Sequence, residues 1–451
     1  MKNVYMVSLG CPKNRVDSEV MVGLLQASEY SMVNEPDEAD VIVVNTCSFI
    51  QPATEESIET VLEMAKFKEG RCEKLVVTGC MVQRYGTSLE GELPEVDLFL
   101  GTGEYHRIEE ILNSRGGAPI KSHVDTPLYI HDEMSPRVNS WARHSAYLKI
   151  SEGCNHRCSF CIIPTLRGTL RSRTIESLTA EALRLASTGV REINLVSQDS
   201  TAYGRDIYGS PRLGELLRSL VKVSGIDWIR IHYAYPIGLP DDLLQTIASE
   251  DKVCSYIDMP LQHASGPMLK AMKRGVTRAG QERILRRVRE AIPGVAIRTT
   301  FIVGFPGETD EDFQVLMDFV KSEKFARVGV FTYCKEDGTA AAELGQAVPE
   351  EVKMERQRQL MELQAGISLE HNQSFIGEHV DVMVDGVSDE HELLLSGRLA
   401  TQAPDVDGQV LLTSAPKGVK AGDIISCRVV QVAEHDLVAE YDPKISQRVS
   451  E

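Results

Sequence analysis

The sequence predicts an α/β protein in three parts: an N-terminal parallel α/β domain, a central partial (β/α)6 barrel and a small antiparallel β-barrel at the C-terminus. Three observations predict it. Strand-like and helix-like runs alternate as far as residue 375, the pattern of parallel sheets. Beyond that point the runs are short and strand-like, separated by the turn pairs Asp385-Gly386, Asp407-Gly408 and Ala421-Gly422, as in a small closed barrel. At 451 residues the chain exceeds one ordinary core, and length alone suggests about three domains.

Residues 1–113 carry expected strands at Val4–Leu9, Asp40–Asn45, Lys74–Thr78 and Asp97–Leu100. Expected helices cover Asp17–Ser28, Thr54–Lys68 and His106–Asn113. Each of the first three strands runs into a cysteine: Cys11, Cys47 and Cys80. Ligands of a parallel α/β sheet collect at the carboxyl ends of its strands. Three thiols distant in sequence can therefore converge on one point; the competing reading is three small buried cysteines. Residues 114–145, rich in Gly, Pro, Ser and His, read as a linker or covering segment.

Residues 146–375 contain six expected strands: Ala146–Ile150, Glu192–Val196, Trp228–His232, Tyr256–Met259, Val295–Val303 and Arg327–Thr332. Helices are expected at Ile175–Ser187, Leu213–Val223, Asp241–Ala248, Arg278–Ala291 and Asp310–Ser322, with a solvated connector over Pro349–Gln373. Six units are two short of the closed eight-fold barrel and leave a lateral opening. Behind the first strand comes Cys154-Asn155-His156-Arg157-Cys158-Ser159-Phe160-Cys161. Three soft sulfur ligands on one loop suit an iron–sulfur cluster, or zinc. In a four-iron cluster three thiolates leave one iron open to a small molecule. Other polar groups fall at equivalent strand ends: Ser197-Gln198-Asp199, Gln262-His263, Gly304 to Thr309, and Tyr333 to Glu336. His232 and His263 read equally as satisfied structural histidines, and neither is assigned as a base; Cys72, Cys254, Cys334 and Cys427 read as structural or incidental.

Residues 376–441 supply the barrel strands His379–Val384, Glu392–Arg398, Gln409–Leu412, Asp423–Val432 and Leu437–Tyr441. The formal charge of −18 argues against a general nucleic-acid binder. Residues 1–112 hold 20 acidic against 9 basic side chains and residues 376–451 hold 14 against 6, whereas the middle is balanced. The C-terminal barrel should therefore repel phosphate and attract a basic protein. No apolar run approaches the roughly 18 residues that cross a bilayer, and the N-terminus enters a strand with no signal-peptide pattern. No membrane association and a cytoplasmic setting are expected, where clustered cysteines are metal ligands rather than disulfides.

The C-x3-C-x2-C loop, with Phe160 before its last cysteine, resembles the radical S-adenosylmethionine enzymes. Together with Gly10-Cys11-Pro12-Lys13-Asn14, Asn45-Thr46-Cys47 and Thr78-Gly79-Cys80-Met81-Val82-Gln83-Arg84, it resembles the methylthiotransferase family over essentially the whole chain. The C-terminal barrel is similar to that family's TRAM domain. The resemblance implies two [4Fe-4S] clusters, one on Cys154, Cys158 and Cys161 and an auxiliary one on Cys11, Cys47 and Cys80. It implies S-adenosyl-L-methionine as cofactor, with Phe160, Gln198 and Gly304 near it, and no catalytic side chain beyond the clusters. An electron donor such as flavodoxin or ferredoxin is implied as well. Pro12-Lys13-Asn14, Leu195 to Gly204 and Asp258 to Ala264 are similar to the members that methylthiolate the β-carbon of an aspartate in small-subunit ribosomal protein twelve. The alternative is a tRNA adenosine methylthiotransferase. The acidic barrel favours the ribosomal protein, with RNA binding not dominant.

Overall fold

The computed structural model describes residues 1–114, 121–388, 392 and 394–443. Parts of the expected 114–145 linker and of the expected strand Glu392–Arg398 lie outside the described residues.

The first sheet has six parallel strands in the order Tyr30–Met32, Lys2–Ser8, Val41–Thr46, Lys74–Gly79, Leu98–Leu100, Ser122–His123. Its central strand, Val-Ile-Val-Val-Asn-Thr, is buried throughout, as a strand covered on both faces must be. Val41 and Val43 face the helix Pro12–Gln26 with Val20, Met21 and Leu25. Ile42 and Val44 face the helix Gln51–Ala65 with Val61 and Met64. The strands Tyr30–Met32 and Ser122–His123 carry no period-2 signal at three and two residues, and sequence reading did not find them. Residues 136–140 lie across the first helix. Gly23 meets the Pro136 carbonyl there, and the Val138 N–H donates to the Glu19 carbonyl at 3.2 Å.

The central sheet also has six parallel strands, in chain order from one edge to the other: Ser145–Lys149, Glu192–Val196, Trp228–Ile231, Val253–Asp258, Ala296–Val303 and Arg327–Thr332. This is the partial (β/α)6 barrel expected. One face packs Leu148, Ile193, Leu195, Ile229, Ile231, Ile297 and Val303 against the helices. Alternate residues on the other face are polar and buried: Ser145, Lys149, Glu192, Asn194, Arg230 and Asp258. The helix Glu350–Gln373 corrects the expectation of a solvated connector. It buries Arg356, Leu360, Gln364 and Ile367, and Gln364 Nε2 donates to the Phe325 carbonyl at 3.0 Å. Four of its six buried residues are polar, which hid the apolar stripe.

The C-terminal barrel closes in the order His379–Val387, Leu395–Arg398, Val410–Ser414, Leu437–Tyr441, Ile424–Val432. Its pairings are antiparallel except that Val410–Ser414 runs parallel to Leu437–Tyr441. It docks at the amino ends of the central strands, where Met383 and Ala403 pack with Trp228, Tyr256 and Ala296. At the same junction buried Glu192 accepts from Arg398 at 2.8 Å and Arg230 at 3.1 Å. The carboxyl ends are thus left to the first sheet. No helix among the described residues is long and apolar enough to cross a membrane.

Candidate active site

The carboxyl-end loops of the two parallel sheets face each other. Thr102 Oγ1 donates to the Leu166 carbonyl at 2.6 Å. Arg84 pairs with Glu336 at 2.6 Å, and Cys80 packs with Ile162 and Leu166. Behind this contact lies a buried ion cluster. Asp17 accepts from Lys149 and, at 2.5 Å, from Arg167. Glu152 accepts from Lys149 at 2.8 Å, Arg167 at 3.2 Å and Gln198 Nε2 at 2.7 Å. Sequence reading missed Arg167, Asp17 and Glu152 as a unit. The available signal was polar residues at Lys13, Asn14 and Asp17 on a helix face otherwise made by Val16 and Val20.

The loop Cys154–Cys161 leaves the first central strand through Gly153. This glycine has φ +77, and a Cβ on it would stand 2.1 Å from the Thr169 carbonyl oxygen. Only a residue without a side chain makes this turn. The Cys154 N–H donates to the Gly168 carbonyl at 3.0 Å, and the Ser159 N–H to the Met272 carbonyl at 3.1 Å. The His156 N–H donates to Cys154 Sγ at 3.4 Å and Arg274 Nη1 to Cys158 Sγ at 3.2 Å. Burial pushes the Cys154 thiol up to about 11 and the Cys161 thiol up to about 12. These thiols are neutral on their own and become thiolates when a metal supplies the charge. His156 stacks on Tyr235 at 3.6 Å and bonds Asp199 at 2.6 Å, and Arg274 lies over Tyr235 at 4.4 Å. Tyr235 and Arg274, set on loops with no motif, gave no sequence signal.

Cys11, Cys47 and Cys80 stand at the carboxyl ends of three adjacent strands, as expected. Cys11 caps the helix Pro12–Gln26, and Cys80 opens the helix Cys80–Tyr85. A Cβ on Gly10 would lie 2.9 Å from Cys47 Sγ. Burial pushes the Cys80 thiol up to about 12; nearby Arg167 opposes, while Cys47 and Cys11 add. Arg167 therefore joins the triads, following the last cysteine of one and facing the thiols of the other. Among the described residues no three Cys, His, Asp or Glu side chains close on a point small enough for a single ion. A four-iron cluster binds each thiolate through a different iron, and both triads, soft, at most partly exposed and flanked by a cation, fit such a donor set.

Of the other expected residues, Phe160 packs with Met268, Met272, Phe305 and Tyr333. Gln198 leaves its Oε1 buried without a partner beside the ion cluster. The Gly304 N–H donates to Glu308 at 2.9 Å, and the Lys353 stem covers its Cα, 2.2 Å from where a Cβ would stand. Both buried, His232 bonds Asn194 at 3.2 Å, and His263 lies 3.4 Å from Glu308 with its Nε2 making no hydrogen bond.

Residues 148–320 match the radical SAM superfamily and residues 376–441 the TRAM domain, and residues 3–101 match an uncharacterized protein family, UPF0004. Six parallel strands with a three-cysteine loop behind the first define the class: this is a radical S-adenosylmethionine enzyme. Solved structures share the fold. The chain aligns with the radical methyltransferase TsrM of Kitasatospora setae at TM-score 0.57 and 16% identity, over 75% of this chain and 77% of that one. It aligns with the S-adenosylmethionine radical enzyme OxsB at 0.52 and 12%, over 80% and 56%. Curated relatives are far nearer. The ribosomal protein uS12 methylthiotransferase RimO of Geobacter sulfurreducens is 50% identical over 97% of this chain and 98% of its own, and that of Myxococcus xanthus 49% over 98% and 93%. The chain belongs to the RimO family of methylthiotransferases, whose cofactors are S-adenosylmethionine and two [4Fe-4S] clusters.

Proposed function

We propose that the protein attaches a methylthio group to the β-carbon of an aspartate in ribosomal protein uS12, the protein named as substrate of its relatives. The observation that carries this is the meeting of the two cysteine-bearing sheet faces across one domain interface, where Cys80 packs on Ile162 and Leu166. The target C–H bond is unactivated, so the bound cofactors supply the one-electron chemistry and the sulfur, and the protein supplies placement. Cys154, Cys158 and Cys161 would hold the cluster that engages S-adenosylmethionine, with Arg274 offsetting the charge on Cys158. Phe160, on that loop, and Gln198, which bonds Glu152 just before it, are assigned to the cofactor, with Gly304 at the end of the fifth strand. Cys11, Cys47 and Cys80 would hold the auxiliary cluster at which sulfur is delivered. A small electron carrier such as flavodoxin or ferredoxin would reduce the enzyme. The alternative substrate, a tRNA adenosine, is disfavoured by the acidic C-terminal barrel.

The test offers uS12 and tRNA together to the reduced, reconstituted enzyme with S-adenosylmethionine and reads both by mass spectrometry. A methylthio group on an aspartate of uS12 is expected; one on tRNA alone refutes the assignment.

A further inference from the structure

Beside the buried ion cluster stands a cation with no carboxylate in contact. Lys149 and Arg167 are matched by Asp17 and Glu152, but a third cation lies beside them. Lys13, one helical turn before Asp17, is only 8% exposed. Its Nζ donates to the Ser197 carbonyl at 3.4 Å, on the strand end of the other sheet, and lies 3.7 Å above the Tyr233 ring. An ammonium has three donors, so two remain unused. Tyr233 holds φ +59 to present that ring, a backbone region aromatic residues rarely occupy.

Other buried Lys and Arg side chains are matched. Lys149, Arg167, Arg173, Arg230, Arg356 and Arg398 each bond a carboxylate, and Arg274 bonds Cys158. Among the described residues, Lys13 has no carboxylate within 4 Å, the ion-pair distance met by those pairs. A buried cation out of contact with any carboxylate is costly; the negative groups that act on this one from further off are Cys11, two residues away, and Glu152.

We infer that Lys13 is the substrate-recognition residue of the site, its ammonium receiving the side-chain carboxylate of the target residue. This rests on the aspartate reading above and deepens it: the pair would present the carbon next to that carboxylate and reject a neutral amide. A site with an unmatched charge discriminates more sharply than an apolar pocket, because the wrong substrate leaves the charge buried and unpaired.

The experiment uses reconstituted enzyme with bound S-adenosylmethionine and two small probes, N-acetyl-aspartic acid N-methylamide and its asparagine counterpart, titrated by ligand-observed NMR. Wild type is expected to bind the acid at least ~10-fold more tightly than the amide. Lys13→Met and Lys13→Gln, loaded with iron to the wild-type level, should bind the two alike; the second variant stands in where the first fails to load. Equal binding by wild type, or an undiminished preference in either loaded variant, overturns the inference. So does a variant that loses S-adenosylmethionine affinity while keeping the preference, because Lys13 then serves the cofactor's carboxylate. A preference that both variants lose, in an enzyme that never modifies uS12, supports the role of Lys13 and sinks the substrate assignment instead.

Discussion

Replacing Glu192 by Gln should loosen the C-terminal barrel from the central sheet while leaving both sheets folded. Glu192 is fully buried and accepts from Arg398 at 2.8 and 3.1 Å, from Arg230 at 3.1 and 3.3 Å, and from Ser145 Oγ at 2.9 Å. Removing one partner of a buried pair costs about 3–5 kcal/mol, because the other charge stays buried. Arg398 keeps Asp385 at 2.8 Å and Arg230 keeps the Ala400 carbonyl at 2.6 Å, which places the loss near the lower end, about 3 kcal/mol. That corresponds to roughly a 100-fold rise in local opening, at about 1.4 kcal/mol per decade. Hydrogen exchange read by mass spectrometry on Leu395–Arg398, as the ratio of variant to wild type at each pH, reports it directly.

The pH dependence follows from the same contacts. Burial raises the Glu192 pKa, but Arg398 and Arg230 outweigh it and hold the carboxyl below its usual range. A group with a depressed folded pKa contributes fully above its unfolded pKa, about 4.3 for Glu, and loses that contribution as pH falls below it. The ratio should therefore be flat between about pH 8 and 5.5 and shrink only in more acid solution. His131 and His232, depressed by burial to about 4 and about 3, destabilise both proteins as pH falls below about 6.5; this cancels in the ratio down to about pH 4, below which His232, whose pKa Glu192 raises, differs between the two. A ratio below about 5 at neutral pH, where at least ~100 is due, or one that varies across the neutral range, would refute the reasoning.

Two further outcomes concern the first triad. Gly153→Ala forces a Cβ to within 2.1 Å of the Thr169 carbonyl oxygen at φ +77; the loop must shift, and iron per protein should fall by about half, from two clusters to one. An unchanged iron content would show that the loop tolerates the shift. Arg274→Met removes the cation that donates to Cys158 Sγ at 3.2 Å and should lower the midpoint potential of the cluster there, followed by electron paramagnetic resonance during a redox titration. A midpoint equal to that of wild type contradicts the contact's importance.

How far the fold was legible follows local pattern. Glu192–Val196, Arg327–Thr332, Ile175–Ser187 and Arg278–Ala291 were found with their true bounds, because the apolar residues of each recur at one clear period. Tyr30–Met32 was not, since three residues at a sheet edge pair only because Lys2–Ser8 already lies beside them. The helix Glu350–Gln373 was found but misjudged. Its Arg356 reads as solvated until Glu308, 48 residues earlier, is brought to 2.8 Å.

The sequence by itself determined the three-part architecture and the placement of three cysteines at successive strand ends of the first sheet and three on one loop of the second. Strand and helix periods are local, and thiols at successive strand ends of a parallel sheet share one edge whatever packs above them. Only the tertiary structure decided what joins the triads. Arg167 reaches Asp17 across 150 residues, Lys13 reaches Ser197 across 184, and Arg398 reaches Glu192 across 206. No period encodes such pairs. A charged side chain is written identically whether it will face water or a buried partner, and the difference arises only when two domains exclude the water between them.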